Sequence, residues 1–177
     1  MENKTRTITM VAMMAALSFL LTMFGKIPNP VGGYFHIGDS MLIIGVIILG
    51  TKRGALSGAI GAALSDLLGG YMIWVIPTLI FKTVWALIIG LFTYHLLKNF
   101  RYGWLVGAIV GGAVHAALYS AAYAVIFGKA SLTVAIPGEI GQAAAGIAAG
   151  AIIYAVLSKS KVLYKLKAMA AQGDTAR

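Results

Sequence analysis

The chain has 177 residues, 60% hydrophobic and 11% charged, with a mean hydropathy of +0.89; soluble domains carry roughly 25% charged residues, so the composition excludes a water-soluble globule and points to an all-α membrane protein. Cysteine is absent, which rules out disulfides, thiolate metal centres, iron–sulfur clusters and cysteine nucleophiles. The formal charge of +9 lies mostly in short loops and a tail, a distribution that fits lipid and topology rather than nucleic acid.

At roughly 20 apolar residues per crossing, the chain has room for about six spans in a single transmembrane domain, 1–177. They are expected at 6–25, 37–50, 54–71, 77–97, 102–127 and 135–157, followed by a basic tail at 158–177. The first span follows Lys4 and Arg6 in the manner of a secretory signal. Its apolar run continues to Phe24 with no small-residue cleavage site, so it is expected to remain as a helix. Within it Ala12 and Ala16 form a small-xxx-small pair that lets another helix approach closely. Surrounded by Met10, Met13, Met14, Leu17 and Leu20, the pair is a candidate partner-docking surface. Gly54/Gly58, Gly107/Gly111 and Gly146/Gly150 repeat the spacing and read as internal packing.

Pro28 and Pro30 forbid continued helix around Asn29. The stretch Pro28–Tyr34 is expected either to close over a cavity as a lid or simply to connect two spans. The second span is short: it begins within Gly32–Phe35, tilts little, or sits in locally thinned bilayer. Basic residues fix the orientation. Lys4, Arg6, Lys52, Arg53, Lys98, Arg101, Lys159, Lys161, Lys165 and Lys167 share one side, against Lys26 and Lys129 on the other. By the positive-inside bias both termini are cytoplasmic, and the tail lies against the anionic inner leaflet.

That orientation gives each ionisable group a depth. His36 and Asp39 fall near the outer end of the second span, Asp66 in the outer half of the third and Lys82 in the outer third of the fourth. His115 lies near the middle of the fifth and Glu139 at the outer start of the sixth, while His95 lies toward the cytoplasm. A charge at the bilayer centre costs about 2.5–3.5 kcal/mol even on insertion scales, so such groups face the bundle interior and find partners. For any one of them two readings stand: Lys82 pairs with Asp66 or Asp39 to hold helices together, or it faces a ligand. The set as a whole favours a polar, outward-opening cavity.

Aromatic residues gather at the same end. Tyr34, Phe35, Tyr71, Trp74 and Trp85 lie in outer loops and helix ends, and His115, Tyr119 and Tyr123 share one helical stripe at i, i+4, i+8. They serve either to stack a flat ligand or as interfacial anchors. The candidate binding set is therefore Asn29, Tyr34, Asp39, Tyr71, Trp74, Lys82, Trp85, His115, Tyr119, Tyr123, Glu139 and Gln142. Its core is Lys82, His115 and Glu139 beneath the lid. No phosphate-binding G-x-x-x-x-G-K-[ST] loop, no H-E-x-x-H pair and no G-x-S-x-G elbow occurs, so neither ATPase activity nor other catalysis is expected, and no metal or cofactor.

The segments Gly33–Asp39, Leu49–Ala55, Gly58–Tyr71 and Pro77–Lys82 together resemble the substrate-binding S components of energy-coupling factor (ECF) vitamin transporters, across essentially the whole chain. The resemblance implies a multi-pass protein of the bacterial plasma membrane that captures a vitamin outside. A transmembrane coupling protein, docked on Ala12 and Ala16, and two ATPase subunits would drive release inside, with the S component toppling in the membrane. The Gly-Asp, Asp-Leu-Leu-Gly-Gly-Tyr and Pro-Thr-x-x-x-Lys segments look most like members handling hydroxymethylpyrimidine or pyridoxine; riboflavin and pantothenate remain open. The mixed signs of Lys82, Asp39, Asp66 and Glu139 favour a polar, roughly neutral ligand. The alternative is an autonomous permease with a proton relay through Asp39, Asp66 and Lys82. An intramembrane enzyme using His115 and Glu139 has the least to stand on.

Overall fold

Inside hydrocarbon a backbone amide has no water to bond, so a crossing chain satisfies its N–H and C=O groups within helices. The computed structural model, which describes residues 2–171, follows that rule with seven α-helices. They are α1 (Glu2–Phe24), α2 (Asp39–Leu49), α3 (Thr51–Leu68), α4 (Val75–Leu91), α5 (Gly103–Phe127), α6 (Leu132–Lys159) and α7 (Val162–Ala171). Four stretches are long and apolar enough to cross a bilayer: Lys4–Phe24, Met72–Leu96, Gly103–Phe127 and Lys129–Lys159.

The other two expected spans differ from these. The 37–50 span shrinks to the 11 residues of α2, which rise about 17 Å against a hydrocarbon thickness of about 30 Å. Every residue of α2 is buried, so this helix, apolar after Asp39 and Ser40, meets protein on all sides. A single residue, Gly50 at φ +83°, separates it from α3. The two helices then run antiparallel in close contact, with Gly54 against Val46 and Gly58 against Leu42, where an added Cβ would collide.

The other glycine pairs also pack internally. Gly107 and Gly111 of α5 lie against Ile89 and Trp85 of α4, and Gly146 and Gly150 of α6 against Asp39 and Ile43 of α2. Ala12 and Ala16 differ, because both are exposed. They line an apolar groove between α1 and α3 with Val11, Ala15, Leu56 and Ile60.

At the Gly50 end of the bundle, the last carbonyls of α2 need partners. A π-helical turn, Phe92–Leu96, supplies one: the Tyr94 hydroxyl donates to the carbonyls of Val46 at 2.8 Å and Ile47 at 3.2 Å. The basic tail, expected against the inner leaflet, turns at Lys161, whose φ is +58°, and folds back as α7. Leu163 and Ala170 are buried in one cluster with Ile47, Ile48 and Leu49, and Arg53 Nη1 donates to the Ala170 carbonyl at 3.2 Å. Residues 172–177 of the expected tail lie outside the described residues.

The connection before α2 departs from the all-helical expectation. Two short antiparallel strands, β1 (Ile27–Pro28) and β2 (Tyr34–Phe35), pair Ile27 with Phe35 and Pro28 with Tyr34. Asn29 shapes their turn: its Oδ1 accepts from the N–H groups of Val31 at 3.0 Å and Gly33 at 3.1 Å. The Asn29 N–H also donates to the Gly33 carbonyl at 2.9 Å. Asn makes such side-chain turns readily, and here the result is a compact flap over one end of the bundle.

Candidate functional site

Directly beneath the flap lies a buried polar brace. Lys82 Nζ of α4 donates to Asp39 Oδ1, the first residue of α2, at 2.5 Å, with the two side chains 1% and 2% exposed. Gln142 of α6 extends the brace: its Nε2 donates to Asp39 Oδ2 at 3.0 Å, and its Oε1 accepts from the His36 N–H at 3.3 Å. Three helices and the flap are thus tied to one carboxylate. The Lys82 ammonium also sits 5.4 Å from the ring centres of Trp85 and Tyr119, within cation–π range. His115 stacks behind the brace, its ring 4.5 Å from Trp85 and 4.7 Å from Tyr119. Of the two partners open to Lys82, the geometry selects Asp39.

Above the brace is a cavity of about 310 Å³, its open mouth included. The flap contributes Gly33, Tyr34 and His36, and α3 contributes Asp66. Trp74, just before α4, and Thr78 in its first turns form another wall. Tyr119 and Tyr123 of α5 and Glu139 and Gln142 of α6 complete it. The aromatic walls are interlocked, with Trp74 4.4 Å from Tyr123 and 5.7 Å from Tyr119 between ring centres. Tyr119 donates its hydroxyl to Thr78 Oγ1 at 2.8 Å.

Four contacts hold the flap down. Trp74 Nε1 donates to the Gly32 carbonyl at 3.0 Å, and Asn29 Nδ2 donates to the Tyr123 hydroxyl at 2.8 Å. The Tyr34 hydroxyl donates to Asp66 Oδ1. Lys26 Nζ donates to the Ser65 carbonyl at 2.7 Å and lies 4.5 Å and 5.0 Å from the rings of Tyr34 and Tyr71. Gly33 packs so tightly on the Tyr123 hydroxyl that no Cβ fits there. Burial, together with the neighbouring Asp66 carboxylate, pushes the Tyr34 phenol up, which keeps it a hydrogen-bond donor. Burial also pushes the His36 imidazole down to about 4. The neutral ring accepts the Gly38 N–H on Nδ1 at 3.0 Å.

Of the expected binding residues, Tyr34, Trp74, Tyr119, Tyr123, Glu139 and Gln142 line this cavity. Asn29 lies outside it and clasps the flap. Tyr71 supports Tyr34, with ring centres 4.6 Å apart. Asp39, Lys82, His115 and Trp85 form the layer behind the wall, and Trp85 donates its indole N–H to the Ala108 carbonyl at 3.0 Å. The expected core of Lys82, His115 and Glu139 therefore divides, with Glu139 alone at the surface of the cavity. Gly33, His36, Asp66 and Thr78 were outside the candidate set but line the cavity. The polarity of His36 and Asp66 near the same bundle end was a readable signal; Gly33 and Thr78 carried none without the fold.

The sequence of residues 2–159 matches the family described as ECF-type riboflavin transporter, S component. The chain belongs to that family. Membership makes it a multi-pass membrane protein and the substrate-binding, non-enzymatic subunit of an ECF-type transporter, with a vitamin-type substrate and a membrane ECF module as its partner. A protein of Pyrococcus woesei, described as an uncharacterized protein in a gap 3′ region, is 31% identical over 139 residues, 78% of this chain and 92% of its own length. The family match ends at Lys159, so α7 lies beyond it.

Proposed function

We propose that this S component captures a small, water-soluble vitamin or precursor outside the cell and hands it to a coupling protein and two ATPase subunits for ATP-driven import. The observation that carries the reading is an aromatic and polar cavity beneath the flap at one end of an otherwise apolar helix bundle. The opposite end holds Lys52, Arg53, Lys98, Arg101, Lys159, Lys161, Lys165 and Lys167 on or beside its turns. The positive-inside bias places that end in the cytoplasm. Six helices, α1 to α6, then run alternately outward and inward, with α2 shielded from lipid by its neighbours and both termini inside the plasma membrane of a bacterium.

The segments Gly33–Asp39, Gly58–Tyr71 and Pro77–Lys82, which resemble hydroxymethylpyrimidine- and pyridoxine-type members, favour a one-ring vitamin of that kind over riboflavin, the three-ring vitamin in the family's description. Trp74, Tyr119 and Tyr34 supply faces for a flat ring. The exposed Ala12 and Ala16 in their groove suit a close helix–helix contact with the coupling protein. A permease relay has less support: Asp66 bonds Tyr34 while Lys82 bonds Asp39, which leaves Asp66 without a direct link to the other two.

The test is to purify the chain alone, screen vitamins by thermal shift, and pull it down together with ECF module subunits. Stabilisation by a vitamin and co-purification of an ATPase-bearing module are expected. If no vitamin stabilises the protein and no module co-purifies, the proposal fails.

A further inference from the structure

We infer that the cavity selects a flat heterocycle that presents N–H or O–H donors, or positive charge, to two carboxyl groups on different helices, Asp66 of α3 and Glu139 of α6. This deepens the reading of the site as a vitamin pocket and rests on it.

Two oxygens carry the inference. Asp66 is 1% exposed; its Oδ1 receives the Tyr34 hydroxyl, but its Oδ2 is buried without a hydrogen-bond partner. Glu139 is 2% exposed, and its Oε2 is likewise buried without one. The nearest cationic candidate, His115 Nε2, stands 3.4 Å away, beyond a well-made charge-assisted bond. Both residues line the same cavity. A buried polar oxygen left unpaired is destabilising, so two of them on residues lining one cavity mark where a ligand's donors belong.

Among the described residues no lysine or arginine lines that space. Among the described residues the buried lysine is Lys82, and its ammonium is committed to Asp39 at 2.5 Å behind the wall. Gln142 is also fully used, its NH₂ on Asp39 and its carbonyl on the His36 N–H. What remains facing inward is two carboxyl groups, with the Tyr123 hydroxyl as a neutral, rotatable partner that can serve a ring nitrogen; the Thr78 hydroxyl is already shared between Tyr119 and the Asp66 carboxyl. An exocyclic amine or a charged ring nitrogen matches this arrangement. A carbonyl-rimmed ring such as isoalloxazine has one ring N–H flanked by two carbonyls, so it serves one carboxyl group and sets an acceptor against the other.

The experiment uses the full chain in detergent and isothermal calorimetry with named probes. Hydroxymethylpyrimidine carrying its 4-amino group, pyridoxamine and thiamine represent donors; riboflavin represents the carbonyl-rimmed class. At least one donor probe is expected to bind more tightly than riboflavin. Glu139→Gln and Asp66→Asn should each weaken that probe roughly 10- to 100-fold, the range for losing a hydrogen bond to a charged group. Riboflavin binding more tightly than every donor probe would overturn the donor assignment while leaving vitamin capture intact. So would affinity unchanged within threefold in both variants. Should either variant fail to fold, the wild-type competition between probes decides alone. Absence of binding by vitamins of any class would remove the pocket reading itself, and this inference with it.

Discussion

Replacing Lys82 by Met removes the ammonium and keeps the volume, leaving Asp39 buried at 2% exposure without its ion-pair partner. Breaking one side of a buried pair costs about 3–5 kcal/mol. Asp39 keeps the Gln142 Nε2 bond at 3.0 Å, which puts the expectation at the lower end, about 3 kcal/mol. For a chain of this size each kcal/mol moves the melting temperature by about 2–4 °C, so Lys82→Met should lower it by about 6–12 °C. The double variant Asp39→Asn/Lys82→Met removes the stranded charge and should recover at least half of that loss, because apolar or neutral replacement of a whole pair is often tolerated. Lys82 lies behind the cavity wall, so ligand affinity measured well below the melting temperature should change less than threefold. The assay is thermal unfolding in detergent alongside calorimetry. A single variant as stable as wild type, or a double variant worse than the single, would refute the brace.

Three further outcomes are expected. Ala12→Trp with Ala16→Trp fills the α1–α3 groove and should abolish co-purification with the ECF module while leaving vitamin affinity unchanged; normal assembly would remove the docking role. Burial holds the His36 ring neutral down to about pH 4, whereas in the unfolded chain it takes a proton near 6.5. The unfolded state therefore binds more protons between those values, and stability should fall by up to about 1.4 kcal/mol per unit as pH drops through that window. His36→Asn should flatten the slope, and an unchanged slope would contradict the assignment. Tyr94→Phe strips the hydroxyl from the carbonyls of Val46 and Ile47. Tyr94 is 37% exposed and Val46 also accepts the Gly50 N–H, so the loss should be near 1 kcal/mol, read as a shift in melting temperature.

The membrane class and the four long apolar helices were legible because nothing else accounts for so much apolar sequence with so little charge. That the 37–50 span is short was legible, but its setting was not, because a mostly apolar helix reads the same whether lipid or protein surrounds it. The packing of α1, α3, α4 and α6 against it distinguishes the two. The brace was half legible: Lys82 needed a carboxylate, but choosing Asp39 over Asp66 depended on Tyr34 reaching Asp66 first. The flap's strands escaped notice because two-residue strands carry no periodicity. Their turn depends on one Asn side chain bonding two backbone amides. In the tail, Leu163, Leu166 and Ala170 follow a helical spacing that the run of lysines obscured.

The encased α2 has a consequence for how the protein is made. Asp39 precedes Lys82 by 43 residues and Gln142 by 103, so during synthesis it emerges long before either partner. The insertion machinery meets an 11-residue helix too short to stand alone in lipid and headed by an unpaired carboxylate. Joined to α3 by a single glycine, α2 can enter only as half of a hairpin, and its charged end stays at the membrane border until α4 and then α6 arrive. The centre is therefore completed only by the last long helix: a chain halted before Gln142 has the Asp39–Lys82 pair but not the amide that closes the second carboxylate oxygen.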